Sequence, residues 1–221
     1  MTYRVKNINI NNENIIKCIN KNKIKIVFIP TIDCLDNFLN QINSFGNIYY
    51  INNYSFKKCP DDVKMERKFI LSGDKQNIFT KTGPSDYYCG TICETELDQS
   101  MGEYMWKIKF LKSIKKDIMI GVSTNDFDFN SVNYNTCGWY LWCRHTPPTL
   151  YSGPPFNYNG IKTNLSEIKD EVVVIMNMKK RTLKFIINNE DKGESYIDLP
   201  IDKPIYPAVI LSSQDDSIEI I

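Results

Sequence analysis

A bent, antiparallel, two-sheet β-sandwich preceded by a small α/β extension is the fold class this sequence predicts. Three observations carry it. From Phe69 onward, short runs of alternating apolar and polar residues are separated by clusters of turn formers. Helical spacing of apolar residues almost disappears at the same point. The chain has 221 residues, 42% of them hydrophobic, which suits one sandwich-sized unit plus an extension and leaves little room for two enzyme domains.

The opening stretch to about Asn22 is rich in Asn, Ile and Lys without a clean period, and reads as loosely ordered or as an edge strand. Residues 23–29 form a β-type run ended by Pro30. Thr31 or Asp33 can cap a helix in which Leu35, Phe38, Leu39 and Ile42 recur at helical spacing, until Gly46 stops it. Residues 48–51 return to a β-type run. The polar stretch 57–62 is turn-forming and marks the main boundary. The expected organisation is an extension over residues 1–65, packed on a sandwich over residues 66–221.

Within the sandwich, Tyr104, Trp106, Ile108 and Phe110 alternate with Met105, Lys107, Lys109 and Leu111, so one face is large and apolar and the other partly solvated. Ile118, Ile120 and Val122 repeat that period around Gly121. Residues 171–176 are apolar more continuously, as in a strand covered on both faces. A turn at Met178, Lys179, Lys180 and Arg181 reverses them into residues 183–187, giving a hairpin. Further runs follow at Tyr196 and Ile197, at 205–211 and at 217–221. Trp106 and Trp139 are assigned to the core, and the aromatic- and proline-rich segment 144–158 to a loop able to carry specificity.

Composition narrows the function. Twenty-seven Lys and Arg against 26 Asp and Glu leave a formal charge of +1, too little field to hold a nucleic-acid backbone. The only histidine is His145, so no His-cluster metal site is expected. The seven cysteines are odd in number, and the close pairs Cys89/Cys93 and Cys137/Cys143 lack the spacing of zinc sites. A reduced, intracellular, cytoplasmic setting is expected, with no signal segment, no membrane span and no cofactor. Cys143 and His145 lie two apart, as a thiolate–imidazole pair could, but no oxyanion-hole or nucleophile-elbow pattern accompanies them, and an enzyme is not expected. Asp126 and Asp128 lack a third acid and read as a surface loop without metal.

The order of motifs resembles the SPRY family, also called B30.2. The matching pieces are Gly102-Glu103-Tyr104-Met105-Trp106-Lys107-Ile108, Ile120-Gly121-Val122-Ser123, Gly138-Trp139-Tyr140-Leu141, Tyr151-Ser152-Gly153, Val174-Ile175-Met176-Asn177-Met178 with Leu183-Lys184-Phe185, and Tyr206-Pro207-Ala208-Val209. Phe69-Ile70-Leu71-Ser72-Gly73-Asp74 is similar to the PRY stretch of the longer form. The resemblance covers about residues 69–221 and implies a sandwich whose loops at one end bind a protein or peptide. In the peptide-binding SPRY proteins linked to a SOCS box, four segments line the pocket. They match Pro84 with Asp86, then Thr124, then Tyr134, then Ser212, Ser213 and Gln214. The expected function is therefore an interaction module, an adaptor or substrate receptor, acting as a monomer. A carbohydrate-binding sandwich is the alternative, and a Cys/His hydrolase stands behind both.

Overall fold

The computed structural model describes residues 48–50, 54–100, 102–113, 115, 117–131, 133–144, 148–152, 171–200 and 202–221. The helix expected around Leu35 to Ile42, and His145, lie outside these.

The described residues form thirteen strands in two sheets. The first sheet holds β1 (Ile48–Tyr50), β2 (Phe69–Ser72), β3 (Ile78–Lys81), β5 (Glu103–Lys112), β9 (Glu171–Asn177), β10 (Thr182–Ile187), β11 (Glu190–Tyr196) and β13 (Ser217–Ile220). Its order is β11-β10-β9-β5-β13-β3-β2, and β1 pairs in parallel with the first residues of β5. The second sheet holds β4 (Cys89–Ile92), β6 (Ile118–Thr124), β7 (Gly138–Trp142), β8 (Thr149–Ser152) and β12 (Ile205–Leu211), in the order β4-β12-β6-β7-β8. Apart from β1, every pairing between named strands is antiparallel.

Alternation places the core. Tyr104, Trp106 and Ile108 of β5, Val172, Val174 and Met176 of β9, and Leu183, Phe185 and Ile187 of β10 face Ile118, Ile120 and Val122 of β6, Trp139 and Leu141 of β7, and Val209 and Leu211 of β12. Trp106 and Trp139 are 1% and 2% exposed, as the sequence predicts. Tyr54 and Phe56, upstream of the first sandwich strand, join this core: the Tyr54 ring lies 5.9 Å from Trp106, and Phe56 forms a bridge to Cys93.

The five-stranded sheet is buried on its outer face too. Ile92, Met119, Tyr140, Ala208 and Ile210 point outward and are covered by Phe127 and Tyr134 from the β6–β7 connection, which folds back over the sheet. Gly90 makes the seat, because a Cβ there would stand 2.8 Å from Phe127 Cζ. Segment 144–158, expected as one loop, contains the edge strand β8. Its prolines and glycine flank a run of only four residues, too short to register as a period in the sequence.

Candidate functional site

Strand register sorts the loops into two ends. Leu211 pairs with both Ile118 and Cys89, while Thr124 pairs with Ile205. Residues 82–88 after β3, 113, 115 and 117 between β5 and β6, 143 and 144 after β7, and 212–216 between β12 and β13 therefore share one end. Thr124 lies at the other end of β6, six residues from Ile118, which is about 20 Å at the usual strand rise. There it caps its own turn, with Thr124 Oγ1 and Asp126 Oδ2 3.5 Å apart. Asp126 is in turn ion-paired with Lys203 at 2.5 Å.

Of the residues singled out from sequence, Pro84, Asp86, Ser212, Ser213 and Gln214 are brought together. Gln214 N donates to Ser85 Oγ at 3.0 Å, and Ser212 Oγ to Ser85 O at 3.5 Å. Pro84, Asp86 and Gln214 are exposed, whereas Ser212 and Ser213 are buried at 9% and 2%.

These two loops are fastened from beneath by Lys81, which is fully buried on the inner face of β3. Its ammonium donates to Pro84 O (2.6 Å), Gly83 O (2.9 Å) and Glu66 O (3.3 Å). Its backbone N–H donates to Asp216 O, and its carbonyl accepts from Asp215 N, both at 3.0 Å. The buried Asp216 carboxylate accepts from Ser213 N at 3.0 Å. Burial pulls the Lys81 ammonium below its ordinary range, and Asp216 is among the groups opposing that shift. Gly83 N donates to Lys68 O at 3.0 Å, and a Cβ on Gly83 would collide with the Glu66 carbonyl, so the close approach of the first loop to residues 65–68 requires glycine.

Tyr134 differs from its expected role as a pocket wall. It is 1% exposed and stacks on Phe127 at 5.3 Å and 25°. Burial is the main reason its phenol is pushed well above the ordinary range, and the Arg67 guanidinium works the other way. Arg67, itself 4% exposed, donates from Nη1 to Tyr88 O at 2.5 Å. Tyr134 thus supports the β3–β4 loop from below.

Sequence reading missed a second cluster at this end. The Asp117 side chain, 6% exposed, accepts from Trp142 Nε1 (2.7 Å), from Tyr88 Oη (3.1 and 3.2 Å to its two oxygens) and from Arg144 Nη1 (3.4 Å). Burial, and then the charge of Asp117, push the Tyr88 phenol up to about 12. Trp142 meets Tyr151 edge-on at 5.5 Å, and Tyr151 donates to Asn133 Oδ1 at 3.1 Å. The only sequence signal is Asp117 itself, an acid directly before the largely apolar strand β6.

Cys143 is 4% exposed, and its thiol contacts Leu141 O at 3.8 Å within the core edge, which is the environment of an inert structural cysteine.

Residues 103–221 match the model of the family described as SPRY domain. No curated protein sequence matches the chain. The crystal structure of the SPRY domain of human HERC1 is 19% identical, with a TM-score of 0.56 over 75% of this chain and 96% of that one. The TRIM65 PSpry domain is 13% identical, with a TM-score of 0.55 over 78% and 93%. A human SPRY domain structure is 12% identical, with a TM-score of 0.52 over 69% and 93%. At these identities the structural likeness speaks for the fold. Strands β2, β3 and β4 precede the matched span, yet they pair directly into both sheets.

Proposed function

Because the chain belongs to the SPRY family, whose domains serve as protein–protein interaction modules, we propose that it binds an extended polypeptide segment, as an adaptor or substrate receptor, through the end formed by residues 82–88 and 212–216. The observation that carries this reading is the fastening of those loops. A buried lysine holds two carbonyls of the first loop and a buried aspartate holds the second loop, while Pro84, Asp86, Tyr87 and Gln214 stay exposed above them. Tyr87 is 45% exposed, a rigid amphipathic ring on a stiffened loop. Rings so placed bind at low entropic cost and are frequent hot spots.

The test is capture of partners from native extract with identification by mass spectrometry, followed by calorimetry with the purified partner. Combined Tyr87→Ala and Gln214→Ala should weaken binding about thirtyfold, equivalent to about 2 kcal/mol, with the melting temperature unchanged. Unaltered affinity would refute the assignment of this end.

The reading extends to organisation and setting. The extension and the sandwich act as one unit, a view supported by the pairing of β1 with β5 and by Tyr54 and Phe56 in the core. A chain lacking residues 1–65 should aggregate or melt at a clearly lower temperature, and an unchanged melting curve would contradict this. A reducing compartment agrees with the free thiols of Cys59, Cys89, Cys93 and Cys137.

A further inference from the structure

We infer that the loop end carries a carboxylate-recognition subsite centred on Arg144, which selects partner segments with an acidic side chain. This inference rests on the peptide-binding reading above and specifies the chemistry of the partner.

Arg144 lies in the turn that follows β7, with a side chain 54% exposed, while the carboxylate that orients it, Asp117, is 6% exposed. A guanidinium held through one nitrogen, Nη1, by a buried acid has given up part of the rotamer freedom that binding would otherwise remove. Its planar fork matches the two oxygens of a carboxylate, which a lysine ammonium does not. Asp117 is also held by Tyr88 and Trp142, so the guanidinium stands beside two half-buried rings that can take the apolar part of a neighbouring peptide residue.

The surrounding charges favour an acid at this point. Lys115, exposed on the adjacent β5–β6 turn, is two residues from Asp117 and adds positive charge. Lys112 on the same side is taken up by Asp215 at 3.2 Å. Asp86, exposed on the Pro84 loop two residues before Tyr88, disfavours a second acid along that loop. The arrangement therefore suits one acidic residue on the Arg144 side, with neutral residues running across the Pro84 and Gln214 loops.

The probe is a library of short random peptides displayed on phage, selected against the full chain. Selected peptides should share an Asp or Glu at one position. Measured as free peptides, they should bind about tenfold more weakly when that acid is changed to its amide, and about tenfold more weakly to Arg144→Gln. The two changes together should cost little more than either alone, since both remove the same contact. Arg144→Glu should reverse the selection toward Lys or Arg at that position. The melting temperature serves as the folding control, and Arg144 is exposed enough to be changed without disturbing the core. An acid-to-amide loss of the same size in wild type and Arg144→Gln overturns the subsite. Binders that lose affinity in the Tyr87→Ala, Gln214→Ala chain yet show no acid preference overturn the subsite and leave the peptide-binding reading in place. A library that yields no binder, or only binders indifferent to both loops and Arg144, overturns the two together.

Discussion

Trp106→Ala is expected to leave little or no folded protein. The indole sits 1% exposed at the middle of β5, packed between the sheets and against Tyr54. Truncating a buried aromatic costs about 3–5 kcal/mol, a large part of the ~5–15 kcal/mol that holds a domain of this kind together. Urea denaturation of any soluble fraction, followed by tyrosine fluorescence and far-ultraviolet circular dichroism, measures the loss. Trp106→Phe is the informative companion. The indole Nε1 is buried without a hydrogen-bond partner among the described residues, so phenylalanine loses volume but also removes an orphaned donor. Its cost should be about 1–2 kcal/mol, well under that of alanine. Equal losses for the two variants would mean that the indole nitrogen is satisfied after all.

The second large effect is expected at Tyr134. Tyr134→Ala should destabilise the chain by about 3 kcal/mol, because the ring is 1% exposed and holds Phe127 and the β6–β7 connection onto the outer face of the five-stranded sheet. Tyr134→Phe should be close to neutral, since among the described residues the buried hydroxyl makes no hydrogen bond of good geometry, only the Arg67 guanidinium acting on it. Chemical denaturation of the pair reads both. A melting temperature unchanged by Tyr134→Ala would return the residue to an exposed loop and overturn its supporting role. Partner affinity measured on Tyr134→Phe should match wild type, because the ring supports the loop without presenting its hydroxyl to a ligand.

What the sequence revealed and what it concealed follow from the range of the interactions. The alternation of Tyr104, Trp106 and Ile108, and of Ile118, Ile120 and Val122, is local, and it correctly identified the inner faces of β5 and β6. The SPRY-like order of motifs likewise led to the two-sheet architecture. The folded-back β6–β7 connection was not legible, because Phe127, Phe129 and Tyr134 follow no period and their partners Gly90 and Ile92 lie far upstream. Thr124 reads like a pocket residue next to the Gly121-Val122 strand, but the antiparallel register sends it to the end opposite Ser212. Lys81 was the most concealed. Its place two residues after Phe79 puts it on the inner face, a signal that was present, yet a lysine there looks like surface until the carbonyls of Glu66, Gly83 and Pro84 are seen around it. The Asp117 cluster joins Tyr88, Trp142 and Arg144 across three connections, and no local pattern announces it.

The position of β13 bears on how the molecule is assembled in time. Residues 217–220 lie between β3 and β5 in the middle of the eight-stranded sheet, with Ser217 facing both Thr80 and Lys112. β3 and β5 meet only through this strand, so a sheet begun around residues 78–112 cannot close until residues more than a hundred positions downstream arrive. Contacts of such long sequence separation make folding slow, in the millisecond-to-second range typical of β-sandwiches. Until β13 inserts, β3 and the second half of β5 present open edges to other chains. Refolding yield should therefore fall as protein concentration rises, and a nascent chain is most vulnerable to aggregation in the interval between synthesis of Lys112 and of Ser217.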